Sequence, residues 1–360
     1  MNEEKSQITK KVIAQKLEFL VPGMELAYDV SDDGGSVLAS AGTVVNKSLI
    51  EKLRNREIEK IDIISEIEDT PINPIVDPKV QQFLNSYTQS VTVVKKAFDD
   101  IRNSHDVPVE AFEQTADGIV ENVSDSINII DKIYDLPVCD DYTFRHSVNV
   151  SAIAALIATW LKYPAESVSA IALAGLLHDV GKSQLPAEIL NKPYKLDPKD
   201  YKLYQSHTQL GYDLVSKKPN VARSVLAAIK DHHERVDGSG YPRHLVADDI
   251  HPYAKIIAVA DMFDESLTIN CETPGVVSPY LSLDKVRSEI HLLDAKVCIT
   301  FTDNMMNFLS GNRVMLTNKE EGRVVFVNKD RPAHSMVQKD DGTVLNLAEM
   351  DDVWIHYVIK

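Results

Sequence analysis

The spacing of apolar residues divides the chain into stretches that differ in predicted secondary structure. Residues 1–70 contain short apolar runs, such as Ser36 to Ala41, separated by glycines, and this pattern predicts a small, mainly β domain. Within it we predict a helix from about Asn46 to Arg54 and a strand around Lys60 to Ile64. The prolines between Asp69 and Pro78 indicate a linker.

Helical periodicity dominates the middle of the chain. Apolar residues recur at three- and four-residue intervals within residues 71–135, which predicts a helical region that connects domains or forms a dimer. Residues 136–310 are predicted to be helical almost throughout, and residues 311–360 change to strand patterns. The predicted fold is therefore mainly α, a helical bundle between a small β-containing N-terminal domain and a short C-terminal β extension.

Two local patterns refine this picture. The helical stretch is interrupted by a glycine-rich segment, Asp237 to Pro242. In the C-terminal extension, strands are predicted at 313–316, 323–327, 336–338 and 353–359, and the sequence Asp340-Asp341-Gly342 predicts a turn.

Composition supports a globular protein that needs no disulfides. Of the 360 residues, 44% are apolar and 26% are charged, which is ordinary for a folded domain with a proper core. The N-terminus has no apolar stretch after its charges, and the most apolar helical runs are too short to span a bilayer. Cys139, Cys271 and Cys298 form no CxxC pair, so we expect reduced thiols, a cytoplasmic location and no membrane partner.

The net charge narrows the choice of ligands. At −16 it disfavours a broad basic face for a nucleic acid polymer. A phosphate ligand would need a local reversal of this charge, and bound metal cations would supply it.

Histidines and aspartates in the second half of the chain form a candidate metal site. Asp179 follows a long apolar run, and a carboxylate buried there is costly unless it is paired. Its two oxygens can bridge two cations. The set contains imidazole and carboxylate ligands and no cysteine, which suits iron, manganese or zinc. Seven ligands are too many for one tetrahedral zinc ion, but they suit two octahedral ions. The alternative is that several of them are helix-terminal or core polar residues. The candidate ligands are His146, His178, Asp179, His207, His232, His233 and Asp261.

Three motifs in this region resemble those of the HD-GYP family of phosphohydrolases, a subgroup of the HD superfamily. They are His178-Asp179 with Gly181-Lys182, then His232-His233-Glu234, then Asp237 to Pro242. The resemblance runs from about Tyr142 to Gly311, and the order and spacing of all seven candidate ligands agree with it. The first seventy residues and the tail also resemble the small domain and the β extension that often flank this module.

The resemblance implies a helical-bundle enzyme that hydrolyses cyclic di-GMP to the linear dinucleotide pGpG and on to GMP. It implies that Asp179 bridges two divalent metal ions, iron or manganese. One ion would be completed by His146, His178 and Asp261, and the other by His207, His232 and His233. Lys182 would meet a phosphate oxygen. The loop that would border the pocket and contact partner proteins contains Gly238, Gly240, Tyr241 and Pro242.

Elementary chemistry suggests how such a centre would act. Two cations lower the pKa of a shared water, which gives a bridging hydroxide at neutral pH, and they offset the charge that grows during in-line attack. Lys182 would add a fixed positive charge beside the same phosphate. The glycines of the loop have a simpler interpretation as well, because Gly238 and Gly240 permit backbone conformations with positive φ.

The sequence departs from the family pattern at two places. Some members carry a glutamate four residues before the first histidine and bind a third metal. Tyr142 stands there in this chain, so two metals are expected. Members also usually have an arginine with a nearby tyrosine or lysine soon after Asp264, and these side chains help hold the cyclic dinucleotide. This chain has no arginine or lysine between Asp264 and Lys285. The loss of one such guanidinium contact would cost about 1–3 kcal/mol of binding.

Three functions are therefore compared. The first is an active cyclic di-GMP phosphodiesterase. The second is a phosphohydrolase that acts on another nucleotide or cyclic dinucleotide. The third is a sensor or adaptor that binds a cyclic dinucleotide with low turnover, which the missing basic residues favour and the complete ligand set opposes.

Overall fold

The structure is a computed structural model. It describes residues 7–16, 25–31, 37–54, 56, 60–69, 78–104, 106–124, 142–190, 197–269 and 278–359. Most of the predicted linker, together with Cys139 and Cys271, lies outside the described residues. The chain divides into two compact units, Met1–Val76 and Asp77–Lys360. The predicted boundaries at residues 70, 135 and 310 stay predictions.

The N-terminal unit is built on two long antiparallel strands. Strand β1 (Gln7–Lys16) pairs along its whole length with β5 (Lys60–Asp69), and the short β2 (Glu25–Leu26) also pairs with β5. A small hairpin joins β3 (Val30–Ser31) to β4 (Val37–Ala39). The predicted helix is confirmed as α1 (Lys47–Arg54), whereas β1 was not predicted.

A compact apolar cluster holds this unit together. The side-chain amide oxygen of Asn46 accepts a hydrogen bond from the Leu49 backbone N–H at 2.9 Å, which caps the start of α1. Leu49 and Leu53 on α1 then pack with buried side chains from the strands and their loops, which are Leu26, Leu38, Val45 and Ile61.

Four long helices form one side of the second unit: α2 (Pro78–Ser104), α3 (Val109–Ser124), α4 (Tyr142–Trp160) and α5 (Ala165–Leu177). The apolar faces of α2 and α3 are buried in the same core as α4 and α5, and Phe98 and Phe112 lie in that core. The region that the sequence presented as a connecting pair therefore packs as part of this unit. Its role in dimer formation stays a prediction.

The chain continues through a 3-10 turn, Val180–Gln184, into further helices. None of the helices among the described residues is both long and apolar enough to cross a membrane. These helices are α6 (Ala187–Leu190), α7 (Pro198–Gln205), α8 (His207–Val215), α9 (Arg223–Asp231), α10 (Pro252–Ile269), α11 (Pro279–Ser288) and α12 (Ala295–Leu309).

The C-terminal residues form a five-stranded antiparallel sheet in the order β10-β6-β7-β8-β9. The mainly α fold with flanking β elements is thereby confirmed. Strand β9 is the one member of this sheet that the sequence pattern did not predict. The strands are β6 (Arg313–Leu316), β7 (Glu321–Phe326), β8 (Met336–Gln338), β9 (Val344–Asn346) and β10 (Ile355–Val358).

Candidate metal centre

Five helices bring the seven candidate ligands into one buried place. His146 lies one turn inside α4, and Asp261 lies in the middle of α10. His178 and Asp179 directly follow α5, a helix so apolar that burial of its last turn is expected. His207 begins α8, and the pair His232-His233 directly follows α9. The structure thus brings together all seven side chains that the sequence proposed as ligands.

The first group of donors surrounds one oxygen of Asp179. The Nε2 atoms of His146 and His178 lie 3.2 Å apart. They lie 3.6 Å and 3.4 Å from Asp179 Oδ2, respectively. Asp261 Oδ1 lies 3.1 Å from His146 Nε2 and 3.8 Å from His178 Nε2. Three residues and one Asp179 oxygen therefore face a common point.

The second group surrounds the other oxygen of the same carboxylate. His207 Nε2 lies 3.4 Å from Asp179 Oδ1 and 3.4 Å from His232 Nε2. His233 completes this group, and its Nδ1 lies 3.8 Å from Asp261 Oδ2. Each oxygen of Asp179 faces a different set of imidazoles, as a bridging role would require.

Hydrogen bonds behind the histidines fix their tautomers. The Nδ1–H groups of His178, His207 and His232 donate to the carbonyl oxygens of Gly175, Tyr204 and Ile229 at 2.7, 2.7 and 2.8 Å. A neutral ring then carries its lone pair on Nε2, and these Nε2 atoms face one another and carboxylate oxygens. A hydrogen bond from the other ring nitrogen to a backbone carbonyl is typical of metal-binding histidines.

One buried oxygen supports the same interpretation. Among the described residues, Asp179 Oδ1 is buried and has no hydrogen-bond partner. An orphaned carboxylate oxygen in the interior is costly unless a cation or a donor satisfies it. Facing imidazole lone pairs cannot do so. The donor set therefore fits two metal ions, one on each side of Asp179.

The protonation states of the second group suit metal binding. Burial lowers the pKa of His207 to about 4. Burial, together with neighbouring imidazoles, also holds the pKa values of His232 and His233 well below their ordinary value. All three rings are therefore neutral at neutral pH, which is the form that ligates metals.

The first group differs because carboxylates crowd it. Burial alone would lower the pKa of His146, but hydrogen bonds to Asp261 and Asp264 raise it well above the ordinary value. Burial opposes ionisation of Asp179, but the charges of His178 and Lys182 hold the pKa of this carboxyl well below its usual range. Asp179 is therefore an anion, and the pocket around it attracts cations.

Lys182 lies beside this carboxylate on the 3-10 turn. Its Nζ donates to Asp179 Oδ2 at 2.5 Å and lies 5.2 Å from the centroid of the Tyr204 ring. Burial would lower the pKa of Lys182, but the Asp179 charge raises it well above the ordinary value. Glu265 adds a further carboxyl nearby, and the negative charge of Asp261 together with burial raises the pKa of Glu265 to about 7.

The loop after the histidine pair is anchored to the same centre. The Tyr241 ring stacks on His233, with centroids 4.7 Å apart and planes 28° apart. Glu234 is buried, and its carboxylate accepts the backbone N–H groups of Arg243 at 2.6 Å and Leu245 at 2.9 Å. Arg243 also donates to Asp231, on the last turn of α9. The loop that contains Gly238, Gly240, Tyr241 and Pro242 therefore lies against the second group of ligands. Its predicted position at the border of a substrate pocket stays a prediction.

The two glycines of this loop have different roles. Gly238 has a φ of +80°, as the positive-φ interpretation predicted. Gly240 was predicted to serve in the same way, and this was wrong, because it does not have positive φ. A Cβ at Gly240 would instead lie 2.4 Å from the Arg235 backbone nitrogen and 2.5 Å from the Glu234 Cα. Close approach of two backbone segments, which only glycine permits, explains this position.

Sequence reasoning missed a chain of side chains behind the first group. Asp264 accepts from His146 Nδ1 at 2.8 Å through one oxygen, and from the Asn149 amide at 2.8 Å through the other. The Tyr87 hydroxyl on α2 then donates to the Asn149 carbonyl oxygen at 2.7 Å. Asp264 lies three residues after Asp261 on a helix, so the spacing alone could have predicted that both side chains lie on the same face. Nothing in the sequence indicated Tyr87.

Gly181 offers a test of how tightly the second group is built. An added Cβ would lie 1.9 Å from the His207 carbonyl oxygen and 2.5 Å from the Gly211 nitrogen, both backbone atoms. We therefore expect Gly181→Ala to push α8 and His207 away, to lower the free energy of unfolding by about 1–3 kcal/mol, and to lower the metal content. Urea denaturation and elemental analysis would measure both.

Gly118 provides the matched control. It lies inside α3 and an added Cβ would meet nothing within 4 Å, so Gly118→Ala should raise the free energy of unfolding by about 0.5–1 kcal/mol. A Gly181→Ala protein with unchanged stability and full metal content would contradict this account of the turn.

Known proteins are similar to this chain in the segment that carries the candidate ligands. Residues 133–274 match the model of the HD domain. A cyclic di-GMP phosphodiesterase of Pseudomonas aeruginosa is 31% identical over 54% of this chain and 47% of its own length. A cyclic di-GMP phosphodiesterase of Thermotoga maritima is 30% identical over 58% of this chain and 60% of its own length. The 3′3′-cGAMP-specific phosphodiesterase 1 of Vibrio cholerae is 33% identical over 57% of this chain and 47% of its own length. The chain thus spans about half the length of the curated relatives it matches.

A solved structure supports the fold. The chain resembles an HDG"Y"P protein of Bdellovibrio bacteriovorus with a TM-score of 0.54, over 82% of this chain and 100% of that one. Sequence identity is 16%, so this likeness concerns the fold alone.

Proposed function

We propose that this protein is a metal-dependent phosphodiesterase of cyclic dinucleotides, because residues 133–274 match the model of the HD domain. The resemblance stated from the sequence is confirmed for this segment, and the curated relatives carry names for the same reaction class. The observation that carries the proposal is the position of Asp179, whose two oxygens face two separate groups of imidazoles.

The proposal assigns a role to each side chain of the centre. His146, His178 and Asp261 would hold one ion, His207, His232 and His233 the other, with Asp179 between them. When bound, such ions supply Lewis-acid stabilisation of a phosphate and lower the pKa of a coordinated water.

The protein's own groups would orient the substrate. Lys182 places a buried positive charge beside Asp179, where it would contact a non-bridging phosphate oxygen of the substrate. Tyr241 holds the His233 ring by stacking and would border the substrate pocket together with Gly238, Gly240 and Pro242. Because the last turn of α5 and most of the 3-10 turn are buried, Asp179 and Lys182 would keep their positions without substrate.

The finer assignments extend the same proposal. Cyclic di-GMP would be opened to pGpG and then cleaved to GMP in the cytoplasm, with iron or manganese as the ions, because imidazole and carboxylate donors suit both. The exposed edge of the loop at Gly238 to Pro242 would serve protein partners, and α2 with α3 would serve a homodimer.

One direct assay tests the reaction. The protein, purified without chelator, is assayed with cyclic di-GMP and with 3′3′-cGAMP after loading with manganese or ferrous iron. We expect turnover of at least one of the two, its loss after EDTA treatment, and its recovery when the metal is added back. Both substrates are needed because relatives named for each are similarly identical, at 31% and 33%.

The second candidate function is a sensor with low turnover. The absence of arginine and lysine between Asp264 and Lys285, with the acidic Glu265 near the centre, favours it. Tight binding of a cyclic dinucleotide without product would establish the sensor. If neither binding nor product were found, a phosphohydrolase for another nucleotide would replace both.

A further inference from the structure

A cavity of about 570 Å³ lies between α11 and the loop that leads into β8. None of the proposed metal ligands lines it. Its volume is in the range of sites for small molecules. Ser266, on the same helix as Asp261, forms part of its wall. The cavity is therefore a second site, close to the metal centre along α10 but separate from it.

Cationic side chains line this cavity in an acidic protein. Lys285, Arg287 and Arg331 outnumber the two carboxylates, Asp284 and Asp330. Asp330 is 94% exposed, so water screens its charge strongly. Glu289, outside the lining, pairs with Lys285 at 2.5 Å, so the cationic character of the wall rests mainly on Arg287 and Arg331. Guanidinium groups at a cavity wall suit an anionic ligand such as a phosphate.

Arg287 is held in place before any ligand arrives. Its Nε donates to the Lys329 carbonyl oxygen at 2.8 Å, and its Nη1 donates to Thr302 Oγ1 at 3.2 Å. Its side chain is only 14% exposed. A guanidinium fixed in this way loses little freedom on binding, which favours recognition of a phosphate.

The neighbouring Arg331 side chain decides which ring nitrogen of His334 is a hydrogen-bond donor. Arg331 lies with Nη2 at 2.7 Å from His334 Nε2, and since a guanidinium only donates, Nε2 must accept. The proton of this ring is therefore on Nδ1. Among the described residues, Nδ1 is buried without a hydrogen-bond partner, because Asp284 Oδ2 lies 3.8 Å away. Burial and the Arg331 charge lower the pKa of His334, in agreement with a neutral ring.

Asp284 gives the cavity an acceptor. Its Oδ1 accepts from the Ala333 backbone N–H at 3.2 Å, which fixes the carboxyl against the loop. The remaining acceptor capacity suits a hydroxyl or amino group. A ligand with an anionic end and a hydrogen-donating end would therefore match the wall.

From this arrangement we propose that the cavity binds a phosphate-bearing small molecule of mononucleotide size. The phosphate would lie at Lys285, Arg287 and Arg331, and a ligand hydroxyl or amino group would donate to Asp284. The assignment does not depend on the proposed phosphodiesterase activity.

Trp354 provides a reporter for the test, because its ring lies 6.3 Å from the His334 ring. The full chain, loaded with manganese, is titrated with the four ribonucleoside 5′-monophosphates and with inorganic phosphate. Tryptophan fluorescence and calorimetry follow the titration. We expect saturable binding of at least one nucleotide, and no binding of the matching nucleoside at the same concentration.

Variants locate the bound molecule. Arg331→Ala, and independently the half-exposed Lys285→Ala, should each weaken binding at least about tenfold, as expected for loss of a charge-assisted hydrogen bond. Arg323→Ala is the matched control, because Arg323 lies exposed on β7 and donates to the Gly311 carbonyl oxygen. It should bind as the wild type does.

A further variant separates this site from the metal centre. Binding should persist in Asp179→Asn, whatever happens to turnover. The proposal is overturned if none of the five probes binds, if Arg331→Ala and Lys285→Ala both bind like the wild type, or if Asp179→Asn alone abolishes binding.

Discussion

Replacing Asp179 by alanine is expected to remove both metal ions and to lower turnover at least about a thousandfold. The physical reason is the shared position of this carboxylate. Its Oδ2 lies 3.4 Å from His178 Nε2 and its Oδ1 lies 3.4 Å from His207 Nε2, so one substitution takes a ligand from each group. Without ions, the water loses its activation and the phosphate loses its main electrostatic partner.

Two further variants make this result interpretable. Asp179→Asn keeps the shape of the side chain but leaves one oxygen, so metal content should fall from two ions to at most one. Asp213→Ala removes an exposed carboxylate on α8 that accepts a hydrogen bond from the Gln209 amide. This variant should leave metal content and turnover unchanged. Elemental analysis and steady-state kinetics on the three proteins are the measurements. Full metal content and turnover in Asp179→Ala would refute the bridging role.

The sequence was sufficient to predict which side chains gather at the candidate metal centre, because these residues are marked locally. His178 and Asp179 end an apolar run, and His232 and His233 are adjacent, so polar residues occur where burial is otherwise expected. Periodicity also gave the helical core and four of the five C-terminal strands. These features depend on neighbours along the chain, which sequence reasoning reads directly.

The parts that were missed depend on contacts between distant residues. The hydrogen bonds from His146 through Asp264 and Asn149 to Tyr87 join three helices, and residues 62 and 115 positions apart meet in them. Strand β1 has few strongly apolar residues and gains its structure from pairing with β5, more than forty residues later. Gly240 was misinterpreted for the same reason, since its close neighbours are backbone atoms across the loop.

Replacing Lys182 by methionine is expected to keep both metal ions and to lower kcat by about a hundred- to a thousandfold, the usual effect of removing one stabilising donor from a buried site. The Nζ lies 2.5 Å from Asp179 Oδ2 and its side chain is 12% exposed, so its charge acts with little screening. Methionine retains most of the length of the side chain and lacks the charge. Metal content should therefore stay at two while turnover falls.

A surface ion pair supplies the control for this variant. Lys218 contacts Asp106 at the same distance of 2.5 Å, but the two side chains are 28% and 73% exposed, so the pair contributes little. Lys218→Met should leave kcat, KM and metal content unchanged. If Lys182→Met instead lost metal in step with activity, Lys182 would be a residue that positions Asp179. Retained metal with a reduced kcat would indicate direct contact between Lys182 and the reacting phosphate, because an interaction made mainly in the transition state changes kcat more than KM.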